Sequence, residues 1–133
     1  MKKAAIVIAR LIFAFVFAMA AAFKFVLVGI PATAAEIAAA GFPFPVLLAW
    51  VAAFFEVALA IGFLAGLFFR EVAMVSIAYV LFLAFSFHGP DRWGANPMEF
   101  GFFVDHFTFI AGLLFAAVHG PGSALVLSYP RRK

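Results

Sequence analysis

Between Val46 and Leu67 every residue is apolar except Glu56. A run of that length crosses a bilayer as a helix, which takes roughly 20 residues. An ionisable side chain in the middle of such a helix costs about 2.5–3.5 kcal/mol on insertion scales, and groups of this kind face a protein interior and pair with something there. One carboxyl group therefore makes two demands on the fold: a membrane as solvent, and a polar interior between helices.

The rest of the chain agrees. Of its 133 residues, 68% are hydrophobic and 11% charged, too few polar groups to cover the outside of a soluble domain. The 21 phenylalanines exceed what a core of this size could hide from water, and lipid accepts the surplus. The net charge of +3 comes largely from Lys2, Lys3, Arg131, Arg132 and Lys133 at the two ends, as expected of cytoplasmic termini beside anionic lipid. No interleaving of basic and aromatic residues points to nucleic acid. The absence of cysteine excludes a dithiol relay, an iron–sulfur cluster and thioether-attached haem.

Four apolar segments are predicted as spans, over about residues 4–30, 46–69, 71–88 and 101–119, in a single domain covering 1–133. Pro31, Gly89-Pro90 and Gly120-Pro121-Gly122 mark exits where a helix does not easily continue, and Phe69-Arg70-Glu71 marks a tight hairpin between the second and third spans. A short interfacial helix around Ala34–Ala40 and the rigid stretch Gly41-Phe42-Pro43-Phe44-Pro45 lead into the second span. The N-terminus also has the look of a secretory leader, with Lys2-Lys3 and then Ala18-Met19-Ala20-Ala21. Arg10 interrupts that apolar region and the run continues to Gly29, so it is taken as the first span. With both termini inside, Lys2, Lys3, Arg10, Arg70, Arg131, Arg132 and Lys133 face the cytoplasm, and Lys24 and Arg92 lie opposite. The expected fold is an all-α integral membrane four-helix bundle with cytoplasmic termini.

Polar residues recur at helical spacing within these spans. Arg10, Ala14, Phe17, Ala21 and Lys24 share one face of the first. Arg10 and Lys24 either snorkel to headgroups or turn inward with the small residues, which allow close helix approach. Ala49, Ala53, Glu56 and Ala60 form the matching stripe on the second span. Lys24 is the partner nearest Glu56 in depth. On the third span Ser76, Tyr79, Leu83 and Ser86 share a face. Serine hydroxyls can bond back to the preceding turn, whereas the Tyr79 hydroxyl lies deep and needs a partner. His88 ends that span, a place the helix dipole favours for a histidine. On the fourth, Asp105 shares a face with Thr108, Gly112, Ala116 and His119, and His106 lies about 100° away. Glu56, Lys24, Tyr79, His88, Asp105 and His106 are the candidate ligand-binding or proton-handling residues, and Arg10 and Arg70 the structural polar ones. No catalytic residue and no metal site is assigned.

The order of these elements resembles the DoxX family of small four-helix bacterial membrane proteins. The resemblance is carried by Arg10 and Lys24, the stretch Gly41–Pro45, Ala49 with Glu56, Gly62 and Gly66, Arg70, His88, and Ala111-Gly112-Leu113-Leu114 followed by Gly120-Pro121-Gly122. Asp105-His106 departs from the basic residue and Asn often found there, as do Ala14 and Ala21 from small glycines. The resemblance implies a multi-pass protein of the bacterial inner membrane, linked to a membrane oxidoreductase system with a redox partner subunit. A quinone among its helices would need a flat apolar slot (Phe54, Phe55, Phe82, Phe85), donors (Tyr79, His88, Lys24) and proton-passing carboxyls (Glu56, Asp105). Other readings stand beside it: a small-solute or proton carrier, which would need a homodimer; a non-catalytic assembly or scaffold protein; and haem ligation by His88 and His106.

Overall fold

The computed structural model describes residues 1–127, and these are all-helical, with no strand. Four helical stretches are long and apolar enough to cross a membrane: Lys2–Leu27, Pro45–Ala65, Phe69–His88 and Met98–His119. The elements are α1 (Lys2–Ala22), a π-helical turn (Phe23–Leu27), α2 (Gly29–Ala39), α3 (Pro45–Ala65), α4 (Phe69–His88) and α5 (Met98–His119). They fall into two compact units. One comprises Met1–Phe68 with residues 121–127, and the other Phe69–Gly120.

In the first unit α1 and α2 both pack on α3. The face of α1 facing inward is Arg10, Phe13, Ala14, Phe17 and Ala21, at the spacing expected from the sequence. The buried stripe of α3 is Ala49, Ala53, Glu56, Leu59, Ala60 and Phe63. Ala49 and Ala53 are fully buried, the small contacts that let two backbones approach without a hydrophobic drive from water. Further down, the Phe63 ring stacks on Phe17, with centres 5.8 Å apart and planes 2° apart, and leans on Phe13 at 5.2 Å. Helix α2 closes on α3 through Ile30, Thr33, Ala34 and Ile37. In the second unit α4 packs on α5. Phe69, Ala73, Ser76, Val80 and Ala84 line the inner face of α4.

Element boundaries differ from the sequence expectation at several places: the short helix expected around Ala34–Ala40 already starts at Gly29, and three other differences have a local reason. The first span breaks at Val28 and not at Pro31, which sits in the first turn of α2. There its missing N–H is one that would have no intrahelical acceptor in any case. The second span ends at Ala65, because Gly66 takes the left-handed conformation (φ 69°) and returns its N–H to Gly62 O at 2.9 Å. The hairpin turn is therefore Gly66–Phe68 and not Phe69–Glu71, and α4 starts at Phe69. The fourth span begins at Met98 and not Gly101, with Asn96 Oδ1 accepting the Met98 N–H at 3.1 Å.

Gly66 is constrained twice. Its φ is positive, and a Cβ there would stand 3.1 Å from Arg10 Nη2 and 3.3 Å from Val126 Cγ1. Gly66→Ala is expected to destabilise the protein by about 1–2 kcal/mol from the left-handed conformation alone. Gly101→Ala, in a helix where a Cβ would meet nothing within 4 Å, is expected to be neutral or stabilising. Thermal unfolding of the two variants in one detergent checks the difference. Equal melting temperatures would contradict it.

Candidate functional site: a buried ion pair and its surroundings

Glu56 is 1% exposed, placed by the stripe of α3 that faces α1. Lys24 reaches it from the π-helical turn. That turn is defined by Val28 N donating to Phe23 O, five residues back, at 2.9 Å. A π turn holds one residue more than an α turn, and such turns are frequent where a side chain must be re-aimed for function. Lys24 Nζ donates to both carboxylate oxygens, Oε1 at 2.8 Å and Oε2 at 2.9 Å. Among the described residues its remaining hydrogen finds Ala20 O, at 3.5 Å. The pair is asymmetric: the lysine side chain is 20% exposed and the glutamate 2%. The lysine is therefore the more open member of the pair. Next in sequence to Lys24, Phe25 of the π turn meets two aromatics of α3, Phe54 edge-on at 5.3 Å and Trp50 at 5.8 Å. Trp50 and Phe54 themselves stack with centres 5.8 Å apart.

Arg10 takes the inward alternative and does not snorkel. It is 3% exposed, and all five guanidinium N–H groups are engaged by main-chain carbonyls. Nε donates to Phe63 O (3.3 Å), Nη2 to Leu64 O (2.8 Å) and Leu125 O (2.9 Å), and Nη1 to Ala124 O (2.8 Å) and Pro121 O (3.4 Å). The last four carbonyls of a helix have no intrahelical donor and carry its negative end. In α3 each has an answer: Gly62 O from Gly66 N, Phe63 O and Leu64 O from Arg10, and Ala65 O from Leu127 N at 3.0 Å. The same guanidinium ties the segment after α5 to that helix end.

In the second unit His88, the last residue of α4, gathers a cluster. Its Nδ1 lies 2.6 Å from Glu99 Oε2. Its carbonyl accepts the Trp93 indole N–H at 2.9 Å, and its ring centre is 5.1 Å from that of His106. His106 Nδ1 is 2.7 Å from Phe102 O. Trp93 packs edge-on against Phe100 and Phe103 within the cluster.

The structure thus brings Lys24 to Glu56 and His88 to His106, each grouping inside one unit. Asp105 is exposed, Tyr79 half-buried, and Arg70, also exposed, reaches Val118 O at 3.5 Å. Ser76 does not bond back to the preceding turn as a serine can: its hydroxyl is buried and has no partner among the described residues. Glu99 is not among the residues that the sequence singled out. Its position in the first turn of α5, where an acid suits the helix dipole, is the signal that could have found it.

The family model described as DoxX matches residues 5–89, a stretch that holds Arg10, the Lys24–Glu56 pair and His88 and stops before α5. No curated protein and no solved structure matches the chain.

Proposed function

Because this chain belongs to the DoxX family of multi-pass membrane proteins, we propose that it is the membrane subunit of an oxidoreductase system and holds a quinone, or a similar flat apolar ligand, beside Lys24. The observation that carries this reading is the asymmetry of the ion pair. Glu56 is sealed and fixes the ammonium with two bonds, while the third N–H has, among the described residues, a long 3.5 Å contact and the lysine is the more exposed partner. An ammonium has three donors, and the third, held by the long bond to Ala20 O, is the one that would turn to a ligand carbonyl oxygen. The Phe25, Trp50 and Phe54 rings supply apolar surface of the kind that a flat ring packs against. A quinone accepts two electrons and two protons, and a redox partner subunit would supply the electrons. Lys24 would hold a quinone carbonyl, and Glu56 would hold Lys24 in place. The distribution of Lys and Arg supports insertion in a bacterial inner membrane with both ends in the cytoplasm.

Extraction of the purified protein and mass spectrometry of the extract test the reading. Quinone is expected with the native chain, and Lys24→Gln is expected to reduce recovery at least tenfold, as loss of a hydrogen bond from a charged group does. Equal recovery from both would reject it. The closed two-bond geometry favours a second reading, in which the pair is a helix–helix tie within a non-catalytic assembly subunit. That reading expects no quinone in either extract.

A further inference from the structure

We propose that His88 and His106 together bind a borderline divalent cation, Zn²⁺ being the type case, through their Nε2 atoms. The inference is independent of the quinone reading and rests on residues of α4 and α5 alone.

The first support is the state of the two rings. A main-chain carbonyl can only accept, so at 2.7 Å from Phe102 O the His106 Nδ1 carries the hydrogen. An ionised carboxylate can likewise only accept, which places a hydrogen on His88 Nδ1, 2.6 Å from Glu99 Oε2. In the neutral form of each ring the lone pair is then on Nε2. This is the arrangement metal-binding histidines adopt: the distal nitrogen donates to a carboxylate or carbonyl, which fixes the tautomer and raises the basicity of the other nitrogen. Here one histidine has the carboxylate and the other the carbonyl.

The second support is spacing. Two imidazoles bound at about 2.0–2.1 Å to one tetrahedral ion stand about 5 Å apart, centre to centre. The His88 and His106 ring centres are 5.1 Å apart, with planes inclined at 45°. The third is rigidity. Phe102 packs on His88 at 5.3 Å while its carbonyl holds His106, and Trp93 binds the His88 carbonyl. Glu99 adds a negative charge behind one ligand, which favours a cation in front of it. No group of three or more His, Cys, Asp or Glu among the described residues could hold a metal. The two histidines are then the protein ligands, one fewer than a catalytic zinc site has, and the remaining positions fall to water.

The test uses full-length protein without a polyhistidine tag, titrated with Co²⁺ and Zn²⁺ in detergent. One equivalent of Co²⁺ is expected to give a tetrahedral visible spectrum that Zn²⁺ abolishes. His88→Asn and His106→Asn are each expected to weaken binding at least tenfold, as is Glu99→Gln. His119→Asn is the control, because that exposed ring makes the same local bond to Phe115 O, at 2.9 Å, with no second histidine beside it. Should the variants fold poorly, electron paramagnetic resonance of Cu²⁺ on the unaltered protein decides: coupling to two imidazole nitrogens supports the site, and coupling to one or none overturns it. Absence of binding by the native chain, or binding unchanged in the His88 and His106 variants, also overturns it.

Discussion

Arg10→Ala is expected to lower the stability of the first unit by about 3–5 kcal/mol, since hydrogen bonds from a charged donor contribute about 1.5–3 kcal/mol each and are not additive when one group makes them all. The loss has three parts. Two terminal carbonyls of α3 lose their only described donor, the carbonyls of Pro121, Ala124 and Leu125 lose their anchor, and a cavity opens beside Phe63. Arg10→Lys should recover less than half of the loss. A lysine has three donors on a single nitrogen and cannot reproduce a planar fork that reaches five acceptors. Unfolding in mixed micelles gives the free energy, and limited proteolysis gives its location, since cleavage after Pro121 should accelerate in both variants. A lysine variant as stable as the native chain would show that charge alone matters and that the fork does not.

Glu56→Leu is expected to cost about 3–5 kcal/mol, because it leaves the Lys24 ammonium facing an apolar helix without its counter-charge. The partial exposure of the lysine, 20% of its side chain, places the effect toward the lower end of that range. Lys24→Met combined with Glu56→Leu should restore most of the stability, since replacing both members of a buried pair by apolar residues of similar volume is often neutral or stabilising. The double variant separates the two readings of the site. If the pair is a ligand site, the double variant is stable yet carries no quinone and supports no partner activity. If the pair is only a tie, stability and partner activity return together. A double variant as unstable as Glu56→Leu would show that the two residues are not coupled, contrary to the 2.8 and 2.9 Å bonds between them.

Different parts of this structure were legible in the sequence to different degrees. The four spans were legible because their length and apolarity are set by the bilayer. The Lys24–Glu56 contact was legible because each residue lies on a stripe of small neighbours at helical spacing, and because a carboxyl at that depth has to be answered. The fate of Arg10 was half legible. Its face could be assigned from Ala14, Phe17 and Ala21, but its acceptors could not. They are main-chain carbonyls 53 to 115 positions away, and a carbonyl carries no residue identity to look for. The π turn was hidden because the 4-3-4-3 spacing from Arg10 to Lys24 is that of an ordinary helix, and the irregularity appears only in the backbone bond to Val28. Glu99 escaped because its role depends on where α5 begins, and Gly101 was a plausible start until Asn96 was seen to cap Met98.

The guanidinium clamp also orders events during synthesis. Arg10 enters the bilayer with the first span, but three of its five acceptors, at Pro121, Ala124 and Leu125, emerge from the ribosome only after the three further hydrophobic segments. Until then part of a buried cation must be hydrated or held by the insertion machinery. The first helix to be made is among the last to be finished, and translation that stalls before residue 121 leaves an arginine with unmet donors as a mark for quality control.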